Sequence, residues 1–131
     1  MSFSITINGY QYNDCWFERR TVLSETKKQW YSVFIMSDEY GYPEPVAKVN
    51  ILNQQVADEL IEIVATDPSL RALQPQNVYV IKDCEENQGL LDSLDQLGVI
   101  GQFVGIMNAD EQYEYPIVVL DVERMDNLSK E

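Results

Sequence analysis

The chain of 131 residues contains no histidine. It therefore lacks the usual base of Ser–His and Cys–His catalytic pairs, the commonest metal ligand, and the side chain that titrates near neutral pH. Its two cysteines, Cys15 and Cys84, lie far apart and form no CxxC pair. The six glycines never fall in the spacing of a phosphate-binding loop. These absences predict a protein that is not an enzyme and holds no cofactor.

The acidic stretch that begins at Asp83 is the best candidate for a calcium loop. Compared with an EF-hand, it has Gln88 where a glycine is required and Leu94 where a bidentate glutamate is required. No local pattern singles out two carboxylates for glycosidase chemistry. The sequence therefore predicts no metal site, while weak binding of Mg²⁺ or Ca²⁺ by clustered acids stays open as an alternative.

Long apolar runs are missing as well. No stretch approaches the ~20 residues of a membrane-spanning helix. None near the start combines basic residues with an apolar core, as a signal peptide does. We therefore expect a cytoplasmic protein with reduced cysteines and no membrane partner.

Positive charge is scarce, with nine basic residues against 22 acidic ones and a net charge of −13. The 41 residues from Asp83 to Glu123 contain ten acids and no Lys, Arg or His. Like charges repel over about 8 Å in physiological salt, which argues against direct binding of nucleic acid. The expected partner is a basic surface on another macromolecule. The alternative is that the charge only keeps a small protein soluble.

The residues that are present predict a folded α+β protein. Apolar residues make up 45% and charged residues 24%, as in ordinary globular domains. Alternation predicts strands over 3–7, 15–23, 30–36, 46–52, 77–81, 101–107 and 115–122, and helical spacing predicts helices over 53–65 and 83–97. The order ββββ-α-β-α-ββ predicts a single domain over 1–131 with a mainly antiparallel sheet and two helices. Residues 124–131 are expected to form a frayed tail.

Several short motifs predict how these elements begin and end. Asn8-Gly9 is typical of a tight hairpin turn, and Asn53 is a predicted N-cap. Asp83 and Glu86 have the spacing of a capping box, and Gly98 suits the position after a helix. Acids in capping positions should stabilise a helix and not contact a partner.

The remaining acids of the helix face and of two acidic turns are the predicted partner-binding residues. They are Asp38, Glu39, Glu44, Asp92, Asp95, Asp110, Glu111, Glu114, Asp121 and Glu123. Asp121 and Glu123 have the two-residue spacing of same-face strand positions, which would set their carboxylates about 6.6 Å apart. Tyrosines in the same turns, such as Tyr40 and Tyr113, suit an interface with arginine, although simple surface tyrosines are the alternative.

The middle of the chain resembles a known group of proteins. "WYSVFIMSDEYGYPEPVAKVNIL" is followed by "NVYVIKD", an acidic helix and "LGVIG". This order is similar to that of a family of small acidic proteins of unknown function, common on phages, plasmids and conjugative elements of bacteria. The likeness covers roughly residues 30–101. The stretch 53–74 departs from it, because it adds a whole helix.

The resemblance implies a cellular context and assigns no catalytic residues. Mobile elements carry small acidic proteins that resemble anti-CRISPR and anti-restriction inhibitors, several of which mimic DNA. We therefore expect a non-catalytic inhibitor, in the cytoplasm of a bacterial host cell, that binds a basic nucleic-acid-binding surface of a defence enzyme. Mimicry of DNA would require the acids to cluster on one face. An immunity protein that neutralises a basic toxin such as a nuclease is the alternative.

Overall fold

The computed structural model describes residues 2–23, 29–108 and 113–129. The strands are β1 (Phe3–Ile7), β2 (Tyr10–Leu23), β3 (Gln29–Ser37), β4 (Glu44–Lys48), β5 (Asn50–Ile51), β6 (Val78–Ile81), β7 (Ile100–Met107) and β8 (Tyr115–Leu120). The helices are α1 (Gln54–Thr66), α2 (Leu90–Gln96) and α3 (Val122–Leu128). The predicted α+β fold with antiparallel strands is confirmed, with the strands divided between two sheets.

The first sheet has the strand order β1-β2-β3-β4, and every neighbouring pair is antiparallel. Its first hairpin turns at Asn8 and Gly9, whose φ angles of 52° and 78° are those of a tight turn with left-handed residues. Ile7 therefore lies opposite Tyr10, and the turn predicted from Asn-Gly is confirmed.

The second sheet has the order β5-β6-β8-β7. The single strand predicted over 46–52 is wrong, because the chain changes sheets within it. Fully buried Val49 donates its N–H to the carbonyl of Val33 (2.8 Å) and accepts from the N–H of Lys82 (2.8 Å). One residue thus bonds to β3 of the first sheet and to the end of β6. The alternation of apolar residues continues across this change and does not reveal it.

Two apolar cores lie on opposite faces of the second sheet. One lies between the sheets and includes Ile35 of β3, Val118 of β8, Leu94 of α2 and Met125 of α3. The other forms where α1 covers the far face of the second sheet, with Leu60 among its buried side chains. The resulting layers are sheet, sheet and helix. Within the described residues, no helix has the length and apolar character needed to traverse a lipid bilayer.

The start of α2 differs from the prediction. The predicted capping box between Asp83 and Glu86 is wrong, because a 3₁₀ turn over Glu85–Asn87 intervenes before the helix begins. Glu86 instead pairs with Lys82 at 2.8 Å. The predicted helix end at Gly98 is confirmed, since this glycine has a φ of 75° directly after the cap residue.

A third helix occupies most of the segment 124–131, which we expected to be a frayed tail, and residues 130–131 lie outside the described residues. α3 begins after Asp121, whose side chain accepts from the N–H of Arg124 at 3.0 Å. Met125 is only 1% exposed, and the Ser129 hydroxyl accepts from the N–H of Phe17 at 2.9 Å. These contacts fix the segment to β2. A seven-residue helix repeats its apolar positions too few times for the period to be recognised.

Candidate protein-binding surface

The acidic turn between β3 and β4 lies against the first half of β2. The carboxylate of Glu39 accepts from the backbone N–H of Asn13 (3.3 Å) and from its side-chain amide (3.0 Å). The hydroxyls of Tyr10 and Tyr40 are 2.9 Å apart and form a hydrogen bond. These contacts hold the turn on the strand. We call the surface formed by Tyr10, Asp14, Asp38, Glu39, Tyr40 and Glu44 the acidic tyrosine surface.

A backbone irregularity brings Asp14 into this surface. The register between β1 and β2 shifts next to it, and Asp14 has a φ of 54°, a left-handed conformation that aspartate tolerates better than most residues. On the neighbouring strand, buried Ser37 donates its hydroxyl to the carbonyl of Asn13 (2.6 Å) and accepts from the N–H of Glu39 (3.2 Å). Ser37 is therefore hydrogen-bonded both to Asn13, next to Asp14, and to Glu39, which holds β2 and the acidic turn in fixed relative positions.

The surface is open to solvent and includes an aromatic groove. Tyr40 is 62% exposed and Tyr10 is 49% exposed. A groove of about 340 Å³ is lined by Asp14, Asp38, Trp16 and Ser2. Two carboxylates beside an indole ring offer hydrogen-bond acceptors and a π face, which is the combination that a guanidinium group prefers.

Cys15 and Tyr40, which lie near these acids, both have raised pKa values. Burial and, to a smaller extent, the negative charge of Glu39 raise the pKa of the Cys15 thiol to about 11, against an opposing hydrogen bond with Ser37. The hydrogen bond to Tyr10 raises the pKa of Tyr40 to about 12, with a smaller contribution from Glu39. Both shifts disfavour additional negative charge. The smaller contributions of Glu39 to both shifts show that this acid lies near the thiol and the phenol.

The acids of α2 form a separate feature. Asp92 and Asp95 are exposed, whereas Leu90 and Leu94 of the same helix are buried. The predicted helix face is thus confirmed. The two acids line a cavity of about 240 Å³ whose wall includes Phe103 of β7, and none of the residues of the acidic tyrosine surface lines it.

The acids of the last hairpin have different surroundings. Glu114 is exposed, and the hydroxyl of its neighbour Tyr113 donates to Glu85 at 3.4 Å. Asp110 and Glu111 lie outside the described residues.

The prediction that Asp121 and Glu123 share one strand face is wrong. β8 ends at Leu120, so Asp121 becomes the N-cap of α3 and Glu123 lies in the first turn of that helix. Both positions stabilise a helix start, where partial positive charge accumulates. These two acids have a local structural use.

The structure therefore brings together three of the predicted acids, namely Asp38, Glu39 and Glu44, and adds Asp14, which sequence analysis missed. The available signal was the pair Asn13-Asp14, two polar turn-forming residues inside a long strand, which is typical of a bulge. Recognising Tyr10 as a neighbour of Tyr40 required the pairing of β2 with β3.

The ion pairs of the described residues lie outside the acidic tyrosine surface. In the part of the chain that the structure describes, three ion pairs form: Arg19–Asp126, Arg20–Glu18 and Lys82–Glu86. None of them includes an acid of the acidic tyrosine surface. Among residues 2–23, 29–108 and 113–129, no group of three or more metal-ligating side chains is placed to hold a metal ion.

No family model, curated protein or solved structure matches the chain. The resemblance to mobile-element proteins stays a prediction.

Proposed function

We propose that this chain is a non-catalytic inhibitor whose acidic tyrosine surface occupies a basic nucleic-acid-binding surface of another protein. A nucleic-acid-binding defence enzyme of a bacterial cell is the expected target. The observation that carries the proposal is that Glu39 and Glu44 lie near exposed Tyr40, that Asp14 and Asp38 line a groove beside Trp16, and that none of these four acids makes an ion pair among the described residues.

The chemistry of this surface favours arginine and lysine. Hydrogen bonds to charged groups contribute about 1.5–3 kcal/mol each, whereas fully exposed ion pairs contribute about 0–1 kcal/mol. The Asn13–Glu39 contact and the Tyr10–Tyr40 contact hold the turn in place before any partner arrives. A surface already held in its binding conformation loses less conformational entropy on association.

The inhibitor would act by occlusion, not by reproducing a DNA helix. Duplex DNA carries one charge per ~1.7 Å of axis, in a continuous array. Here the acids of α2 line a different cavity, and Asp121 and Glu123 belong to the start of α3. One compact acidic surface would compete with phosphates at a single part of the target's groove.

A pair of charge-reversed variants tests the proposal. Asp38→Lys with Glu44→Lys changes the acidic tyrosine surface, and Asp58→Lys with Glu62→Lys makes the same change in net charge on exposed positions of α1. The wild type and both variants are added to a panel of purified bacterial DNA-binding defence enzymes, and DNA binding is measured by fluorescence anisotropy.

We expect the wild type and the α1 variant to displace DNA from a member of the panel, and the Asp38/Glu44 variant to be at least about tenfold weaker, a difference of ~1.4 kcal/mol. Displacement should weaken between about 50 and about 200 mM salt. Equal losses in the two variants would show that only net charge matters. Displacement that does not change with salt would contradict electrostatic occlusion.

A further inference from the structure

β7 lies at the edge of the second sheet. Within the described part of the chain it pairs with β8 alone, and its eight residues include no charged side chain and no proline. Two of its large apolar side chains are exposed, Phe103 at 57% and Ile106 at 60%. Natural edge strands usually carry lysine, proline or a covering loop, because an open edge pairs readily with other strands.

The two exposed side chains lie on the same face of the sheet. Phe103 is opposite Val118 and Ile106 is opposite Pro116, two positions of β8 that project to one side. A register shift after Phe103 allows this spacing of three residues along β7. A Cβ added at Gly105 would meet no described atom within 4 Å, so the face of the sheet is uncovered at the middle of the strand.

Recesses flank the strand, and each has a carboxylate at its wall. Phe103 lines the cavity that also contains Asp92 and Asp95. Ile106 lines a groove of about 460 Å³, together with Ile63, Val104 and Asp67. An apolar strand between acidic walls therefore presents backbone hydrogen-bonding groups, apolar contacts and negative charge together.

We propose that the open edge of β7 binds an extended, basic segment of a partner protein, which adds to the second sheet as a further strand. Backbone hydrogen bonds would supply affinity, and alternate apolar side chains of the segment would pack on Phe103 and Ile106. Lysine or arginine side chains of the segment would lie beside Asp92 and Asp95. This inference goes beyond the proposed function, since it requires neither the acidic tyrosine surface nor a nucleic-acid-binding partner.

Charge favours a basic segment of another protein over a second copy of this chain as the binding partner of the β7 edge. Pairing β7 with β7 of another molecule would join two chains of net charge −13 and bring carboxylates to both sides of the new ribbon. Residues 83–123, which contain β7 and both of the α2 acids, include no basic side chain that would neutralise them. Like charges across a strand pair destabilise it, whereas a basic segment is attracted.

Selection from a library of displayed short random peptides tests the inference on the full chain. Peptides are selected on the wild type, and those that also bind the Phe103→Thr, Ile106→Thr double variant are removed. Both changes are at positions more than half exposed, and threonine suits strands, so the fold should persist. Val22→Thr is the matched control, because Val22 is an apolar residue of β2 that is 41% exposed.

We expect enriched peptides that are net basic, alternate apolar with polar residues, and bind the wild type and Val22→Thr at least about tenfold more tightly than the double variant. Bound peptide should slow hydrogen exchange in β7, and N-methylation of the peptide backbone should abolish binding. Enrichment of neutral or acidic peptides, or no enrichment above the double variant, would overturn the inference. So would self-association of the wild type through β7, seen by sedimentation and abolished by the double variant. The charge-reversed Asp38/Glu44 variant should still bind the peptides, because its changes lie outside β7. Peptide binding therefore tests this inference independently of the proposed function.

Discussion

Asp83 and Leu91 are joined by a hydrogen bond of 2.8 Å from the backbone N–H of Leu91 to the carboxylate of Asp83, eight residues earlier in the chain. The other oxygen of the same carboxylate accepts from the N–H of Gly89 at 3.0 Å. One side chain thus satisfies two donors at the start of α2 across an intervening 3₁₀ turn. The first acid of the stretch without basic residues is therefore used for folding.

Replacing Asp83 with alanine should destabilise the protein by about 1–2 kcal/mol, because both donors at the start of α2 lose their acceptor. Asp83→Asn, which keeps one acceptor oxygen, should fall between alanine and wild type. Asp95→Ala on the same helix is the control, since Asp95 is exposed. Urea unfolding measures these differences. If Asp83→Ala and Asp95→Ala were equally stable, the carboxylate would have no capping role.

The end of the chain offers a second stability prediction. Ser129→Ala removes the acceptor for the N–H of Phe17 and should cost about 1–3 kcal/mol, because that donor is then left without its partner. Exposed Asn127, also near the end of α3, provides the control Asn127→Ala. Urea unfolding measures the loss of stability, and hydrogen exchange at the amide of Phe17 should accelerate in the Ser129 variant alone. Unchanged exchange there would mean that α3 is not fixed to β2 through Ser129.

The elements whose signals are local could be predicted from the sequence. The Asn8-Gly9 turn, the apolar stripe of α2 and the glycine after it follow from periodicity and backbone preference. The elements that could not be predicted depend on contacts between distant residues. The change of sheet at Val49 needs β3 and β6 to be in place, and α3 depends on Met125 reaching the core.

The residues of the candidate site were likewise only partly predictable from the sequence. The acids of the turn after β3 were recognised from their own composition, because aspartate, glutamate and tyrosine cluster there. Asp14 lies 24 positions before Asp38, and no pattern along the chain links them. Asp121 was predicted to lie on a strand but is the N-cap of α3. Over only two residues, apolar periodicity does not distinguish the continuation of a strand from the start of a helix.

The thiol of Cys15 should react slowly in the folded protein. Its pKa is about 11 instead of the ordinary 9.0, so only a very small fraction is thiolate at about pH 8, and its side chain is buried. Alkylation by iodoacetamide, followed by peptide mass mapping, should therefore be at least about tenfold slower for Cys15 in the folded chain than in urea. Glu39→Gln should raise the rate, because it removes a negative charge that opposes thiolate formation. Equal rates with and without urea would show that Cys15 is accessible and ionises normally.

The hydroxyl pair of Tyr10 and Tyr40 predicts a pH dependence at the acidic tyrosine surface. Since the pKa of Tyr40 is raised from 10.0 to about 12, the folded chain favours its protonated form. The stability contributed by this pair is fully present below about pH 10, and it should be lost as the pH rises through about 12. Absorbance at 295 nm should show a late-ionising tyrosine in the wild type. Tyr10→Phe should lower that pKa towards 10.0, because the hydrogen bond that holds the Tyr40 proton is removed.

Tyr42→Phe, at another exposed tyrosine of the same turn, should leave the late ionisation in place. If Tyr10→Phe left the late step unchanged while Tyr42→Phe abolished it, the hydroxyl contact between Tyr10 and Tyr40 would not form in solution, and the turn would need another support on β2.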